Sequence, residues 1–248
     1  MNTIWRLSTM KKRVSLGLSL TLLASNAASA FAAEHHPVQH PKQIKSVEFQ
    51  PMKAPTTIEN MIKTYTEASV KVTYKDGSVE ETPLNYNQLF LSKDKIVDNK
   101  GELIAAGTPI DANGDPIIDR SVPDKPSPYV SDAPDSNSFI TINGKSYIIS
   151  HYEYESVNNA GKEISGLPAS MTLTQVDRDD KTGKLTVNHA KKIDFSNVNG
   201  LWTPCNGSTT DWGTHLGSEE YEPDARAFED PSSSSYKDVT NFAKLYFG

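Results

Sequence analysis

The residues best suited to chemistry sit together near one end of the chain, where residues 199–226 read NGLWTPCNGSTTDWGTHLGSEEYEPDAR. This stretch holds Cys205, which is the single cysteine, two of the three tryptophans (Trp202 and Trp212), and the adjacent carboxylates Glu219 and Glu220. A thiolate with carboxylates can hold a transition metal, whereas carboxylates with backbone carbonyls suit calcium. Glu219 and Glu220 follow Cys205 by 14 and 15 positions, enough for a loop and a strand to fold back on the thiol. Gly200, Gly207, Gly213 and Gly217 within this span let the backbone turn tightly or approach a ligand closely. Taken alone, Cys205 reads equally well as a small buried hydrophobe.

Composition narrows the chemistry further. The chain has 248 residues with 31 acidic against 25 basic side chains, a net charge of −6. An acidic balance offers no basic field to neutralise phosphates, so nucleic acid is not expected as a partner. One cysteine excludes an intramolecular disulfide framework and any cysteine-only zinc site. The length is ample for a sizeable core in one large domain or two small ones.

The first residues read as an address. Lys11, Lys12 and Arg13 precede an apolar stretch from Val14 to Leu23, followed by Ala28, Ala30, Ala32 and Ala33. This is the order of a Sec-type signal peptide over residues 1–33, with cleavage after Ala30 or Ala32. Its apolar core of roughly 10 residues is too short to cross a bilayer, which takes about 20. No transmembrane segment is expected after cleavage, and the product is expected outside the cytoplasm, secreted or in the periplasm or cell envelope. Removing residues 1–33 strips four basic groups and no acidic ones, taking the net charge from −6 to −10. Such acidity suits calcium or plain solubility. In an oxidising compartment the unpaired Cys205 is an accident, a dimer-forming thiol or a metal ligand.

The elements that must position these residues are mostly strands. Residues 34–55 read as an extended arm, in which His35, His36 and His40 are either metal-catching or a solvated tail. Thr56 and Glu59 offer a capping box for a short helix carrying Ile58, Met61, Ile62 and Tyr65 on one face, expected to pack in the core. Val70, Val72 and Tyr74 alternate with polar residues, and Asp76-Gly77 turns into a return strand from Val79. Residues 98–137 crowd out apolar periodicity and read as a polar insert or loop on the surface. Within them, Asp111, Asn113 and Asp115 open like an EF-hand loop, but Pro116 and Val122 stand where that loop needs glycine and a bidentate glutamate. The segment is a generic calcium loop or a solvated Asx-rich turn. Asn143-Gly144 between two β-rich runs predicts a hairpin, and Met171–Val176, a turn over 177–184 and Leu185–Val187 predict a second. Short antiparallel hairpins of this kind suit propeller blades or a sandwich.

The signature segment resembles that of the PhoX-type alkaline phosphatases, approximately C-A-G-G-x-T-P-W-G-T-W-L-T-C-E-E. Here the chain reads CNGSTTDWGTHLGSEE without a gap, matching at Cys205, Gly207, Thr210, Trp212, Gly213, Thr214, Leu216, Glu219 and Glu220. His215, Asp211 and Gly217-Ser218 depart from it. Upstream, Tyr147-Ile-Ile-Ser-His151-Tyr-Glu153-Tyr resembles the family's apolar strand ending in an Asn-His-Glu-Tyr-like element. The resemblance spans residues 45–248 and is most specific over 199–226. It implies an all-β, β-propeller-like fold over residues 56–248, with a short N-terminal helix and long polar loops. It also implies a secreted enzyme that hydrolyses small phosphate monoesters with calcium and iron. Cys205 would be the thiolate ligand to ferric iron, Glu219 or Glu220 a metal-bound carboxylate with the second preferred, and Glu153 a calcium carboxylate, with His151 beside it. Members of that family are much longer, so this chain is expected to cover only the first blades. A function of another class, a non-catalytic extracellular calcium-binding or interaction module, is motivated by the acidic stretch at 98–137.

Overall fold

The computed structural model describes residues 41–154 and 157–248. The expected signal peptide over residues 1–33 and the histidines at 35, 36 and 40 lie outside the described residues. Strands hold 37% and helices 11% of the described residues, so these are mostly β, as the hairpin signals predict. Of the described residues, 41–48 with Val72–Glu80 form one compact unit, and Phe49–Lys71 with Glu81–Gly248 form another.

β1 (Ile44–Gln50), β2 (Ser69–Tyr74) and β3 (Val79–Pro83) make a three-stranded sheet in that order. Part of the expected extended arm is therefore a paired strand. The turn from β2 to β3 forms as its sequence predicts: Gly77 takes φ +85°, and Asp76 Oδ1 accepts the Ser78 amide at 2.8 Å.

The expected core helix is corrected. α1 is a single turn, Ile58–Met61, capped by Thr57 rather than Thr56, with Thr57 Oγ1 accepting the Asn60 amide at 3.3 Å. Ile58, Met61 and Ile62 are exposed. One turn is too short to present an apolar stripe to a neighbour, so the periodicity from Ile58 to Tyr65 overstated it.

The larger unit is organised by a six-stranded sheet. It contains β4 (Lys95–Val97), β5 (Leu103–Ala105), β8 (Pro134–Ile142), β9 (Lys145–Tyr152), β10 (Ser170–Arg178) and β11 (Leu185–Lys192), while β6 (Ile118–Asp119) and β7 (Ser127–Pro128) pair separately. Its order is β5-β4-β11-β10-β9-β8. β8 to β11 form a continuous antiparallel meander, and β4 adds to β11 in parallel. Asn143 at φ +51° and Gly144 at φ +76° make the tight β8–β9 turn that the dipeptide predicts. Among the described residues the sheets do not close into a propeller.

Both faces of this sheet are covered, which explains why β10 is buried along most of its length instead of alternating. On one face Ile96, Ile104, Ala106, Ile110, Tyr152 and Ala190 pack with Phe90. On the other, Ile140, Ile149 and Met171 pack with Tyr147, Leu173, Ile193, Phe195 and Leu201. Residues 98–137 do not lie wholly on the surface. Ile104, Ala105, Ala106, Thr108 and Ile110 are buried within them. The Asp111–Asp115 loop is a hydrogen-bonded Asx turn, with Asp111 Oδ1 accepting the amides of Asn113 and Asp115 at 2.8 and 2.9 Å and Lys100 paired to Asp115.

Beyond the sheet, β12 (Pro204–Thr209) and β13 (His215–Glu219) form a hairpin that packs on β8 and β9. The C-terminal helix α2 (Tyr236–Phe247) buries Val239 and Tyr246, and its Phe242 ring lies 5.5 Å from that of Trp202.

Candidate metal centre

Two irregularities in strand pairing build the site. In β12, Pro204 pairs with Glu219 but Gly207 pairs with Gly217, so Cys205 and Asn206 together face the single residue Ser218. In β8, Pro134 pairs with Tyr152 but Asn137 pairs with Ser150, so Asp135 and Ser136 together face His151. Each is a β-bulge, which bends a strand and re-aims its side chains. The two bulges bring Asp135 and Cys205 onto Glu153, which follows the end of β9. Their ligand atoms (two carboxylate oxygens and Cys205 Sγ) all lie within 4.8 Å of one another.

The backbone at the mouth of the hairpin is held in an unusual conformation. Thr203 has φ +32° and Tyr221 has φ +55°, a left-handed region that a β-branched residue such as threonine rarely enters. The Glu220 amide donates to the Thr203 carbonyl at 2.9 Å, tying the strand ends together. Backbone of this kind costs on the order of 1–3 kcal/mol per residue and concentrates at functional sites.

The two adjacent glutamates diverge. Glu219 turns its carboxylate to the Trp202 amide, with Oε1 accepting at 2.5 Å. Glu220 stands close enough to the Cys205 thiol, the Glu153 carboxyl and the Tyr221 hydroxyl to help raise the pKa of each. Of the four sequence-predicted ligands, Cys205, Glu153 and Glu220 are thus neighbours, and Glu219 is engaged elsewhere. Asp135 is a fourth member that the sequence reading missed, because nothing in its local sequence marks a bulge. Trp212, although part of the signature segment, sits exposed at the hairpin tip, where Thr210 and Thr214 close the turn.

The four groups crowd one another electrostatically. Desolvation, then Glu220 and Asp135 beside it, push the Cys205 thiol up to about 11. Burial and the same crowding by Asp135 and Glu220 raise the Glu153 carboxyl above its ordinary range. Among the described residues, none of the ion pairs involves these four acids. The donor set, one soft sulfur and hard oxygens, could hold a transition metal with bonds of about 2.0–2.3 Å. Asp135, Glu153 and Glu220 alone offer the oxygen ligands that calcium takes.

Behind the acids lies a pair of histidines. His151, fully buried on β9, approaches His215 of β13 with Nε2 to Nε2 at 2.8 Å, and its Nδ1 lies 3.2 Å from the Cys205 carbonyl oxygen. His215 Nδ1 lies 2.9 Å from Ser138 Oγ. Burial lowers both imidazole pKa values, and the neighbouring His151 lowers that of His215 further.

A cleft of about 340 Å³ opens beside the site, lined by Tyr154, Glu163, Trp202 and Thr203 among others. Tyr154 directly follows Glu153, and Thr203 lies two residues before Cys205.

Neither a family model, nor a curated protein, nor a solved structure matches the chain. What the site does must be argued from its residues.

Proposed function

We propose that this chain is a secreted, metal-dependent hydrolase of phosphate monoesters, of the PhoX type, built on the first blades of a β-propeller. The observation that carries the reading is the convergence of Cys205 of β12, Asp135 of β8 and Glu153 just after β9, with Glu220 beside them. The ungapped likeness of residues 205–220 to the phosphatase signature supports it. The antiparallel meander of β8 to β11 has the four strands of one blade.

In this reading Cys205 Sγ, with Asp135 and Glu153, would hold iron, and the carboxylates of Asp135, Glu153 and Glu220 would serve calcium. Bound there, the metals would supply positive charge that neutralises phosphate oxygens and stabilises charge developing on them. The chain's own residues do the rest. Tyr154, Trp202 and Thr203 line a cleft that can take the organic part of an ester. The Cys205 thiol must give up its proton to become a ligand, and its neighbours hold that proton firmly. Loading therefore tightens as pH rises toward the thiol's range, which suits alkaline working conditions.

The test is turnover of a chromogenic phosphate ester by the secreted protein loaded with iron and calcium, measured across alkaline pH. Cys205→Ala combined with Glu220→Ala is expected to lower the rate by about a hundredfold or more. A rate unchanged by that pair of substitutions would sink the assigned mechanism. A second reading, a non-catalytic extracellular calcium-binding module, is favoured by the sheets' failure to close. Calcium-dependent stabilisation with no turnover and no bound iron would select it.

A further inference from the structure

We propose that His151 and His215 are positioning residues that hold the bulge at Cys205 in place, and so aim its sulfur at Asp135 and Glu153. A bulge interrupts the ladder that would otherwise fix a strand, so a residue in one needs another anchor. Here the anchor is a side chain from the neighbouring sheet.

The direction of every hydrogen in this relay is set by its ends. The Cys205 carbonyl can only accept, so His151 Nδ1–H donates to it. The two Nε2 atoms at 2.8 Å can share only one hydrogen. His151 in its neutral form has none left on Nε2, so His215 Nε2–H donates. His215 Nδ1 is then bare and accepts the Ser138 hydroxyl. The relay runs from Ser138 on β8 through His215 on β13 and His151 on β9 to Cys205 on β12. It fastens both strands of the hairpin to the two sheet strands beneath them.

Two glycines make room for it. Gly207 and Gly217 are directly paired across the hairpin. A Cβ at Gly207 would stand 2.7 Å from His215 Cε1 and 2.9 Å from His151 Cε1, and one at Gly217 would stand 3.1 Å from ring atoms of both. Neither glycine has a positive φ, so the two imidazoles, not backbone conformation, are what a side chain there would press against. The opposed glycines and the two histidines thus fit as a set.

The effect on metal binding rests on the metal-site reading above, whereas the effect on the thiol does not. The test therefore uses two readouts on the full chain. One is the alkylation rate of Cys205, the chain's single cysteine, by iodoacetamide in metal-free protein. The other is the thiolate-to-metal charge-transfer band on titration with cobalt(II). His215→Phe keeps a ring but removes the donor, His215→Gln restores an N–H, and Gly207→Ala forces the rings away. The first and third are expected to alkylate about tenfold faster, as the sulfur leaves its acidic neighbours. They should also bind cobalt about tenfold or more weakly. His215→Gln should stay within about twofold of wild type in both, a rescue that simple packing would not give. If His215→Phe fails to melt cooperatively, Ser138→Ala takes its place, with alkylation about threefold faster. Wild-type alkylation and cobalt binding in the donor-lacking variants, or a His215→Gln as impaired as His215→Phe, would overturn the proposal. A wild type with no charge-transfer band, but with alkylation that follows the pattern above, would remove the metal reading and leave the anchor standing.

Discussion

Lys192→Met is expected to raise the melting temperature at pH 6 and to lower it at pH 10, so that the two pH–stability curves cross. Lys192 is 1% exposed in the core, opposite Thr172 on β10. Its Nζ donates to the Ala106 carbonyl and to Ser170 Oγ, and stands 5.0 Å from the centre of the Tyr152 ring. No carboxylate pairs with it among the described residues, and burial pulls its pKa down from 10.5 to about 7. Between those two values the unfolded chain binds the proton and the folded chain does not. Stability therefore rises with pH across that window and is lowest below about 7.

The full span corresponds to roughly 5 kcal/mol, an order-of-magnitude figure. Methionine removes it but leaves the Ala106 carbonyl without its donor, at a cost of about 1–3 kcal/mol. Acidic conditions should then favour the variant by a few kcal/mol and alkaline conditions the wild type. Thermal melts of both proteins at pH 6, 8 and 10 decide it, since other titrations cancel in the difference. A variant less stable than wild type at pH 6 would show that Lys192 is better satisfied than its surroundings indicate.

The second large effect belongs to Cys205→Ala. Loss of the sulfur should weaken binding of a thiophilic transition metal by about a hundredfold or more, and calcium much less. Without metal, the same substitution should help at high pH. The thiol's pKa is raised in the folded state to about 11, so the unfolded chain loses its proton first. Wild-type stability accordingly falls as pH rises from about 9, and the alanine variant lacks that fall. Calorimetric titration with metal, and melts at pH 8 and 10.5, measure the two parts. Parallel pH dependence of wild type and variant would mean that the acids do not crowd the thiol.

Much of the sheet is legible in the sequence, because hairpins announce themselves locally. Asn143-Gly144 and the 177–184 turn each carry their own chemistry, and the strands beside them follow. The ladder's faults carry no such mark. Asp135 and Cys205 owe their meeting to one extra residue in each of two strands, and periodicity says nothing about where that residue falls. His215 looked like a departure from the phosphatase signature, and only the fold supplies its partner, His151, 64 positions away. The pairing of Gly207 with Gly217, which leaves room for the two rings, is likewise set by the bulge and not visible in the sequence. The helix at Ile58 failed for the opposite reason: a pattern was present, but one turn could not act on it.

The central claim of the proposed function is that Cys205 binds metal together with its carboxylate neighbours. X-ray absorption at the metal edge, on the wild-type protein loaded with iron and on Cys205→Ala, measures that directly. The expected spectrum has one sulfur scatterer at about 2.3 Å with oxygens for the remainder, and loses the sulfur in the variant. A wild-type spectrum with oxygen and nitrogen ligands alone, unchanged by the substitution, would contradict it.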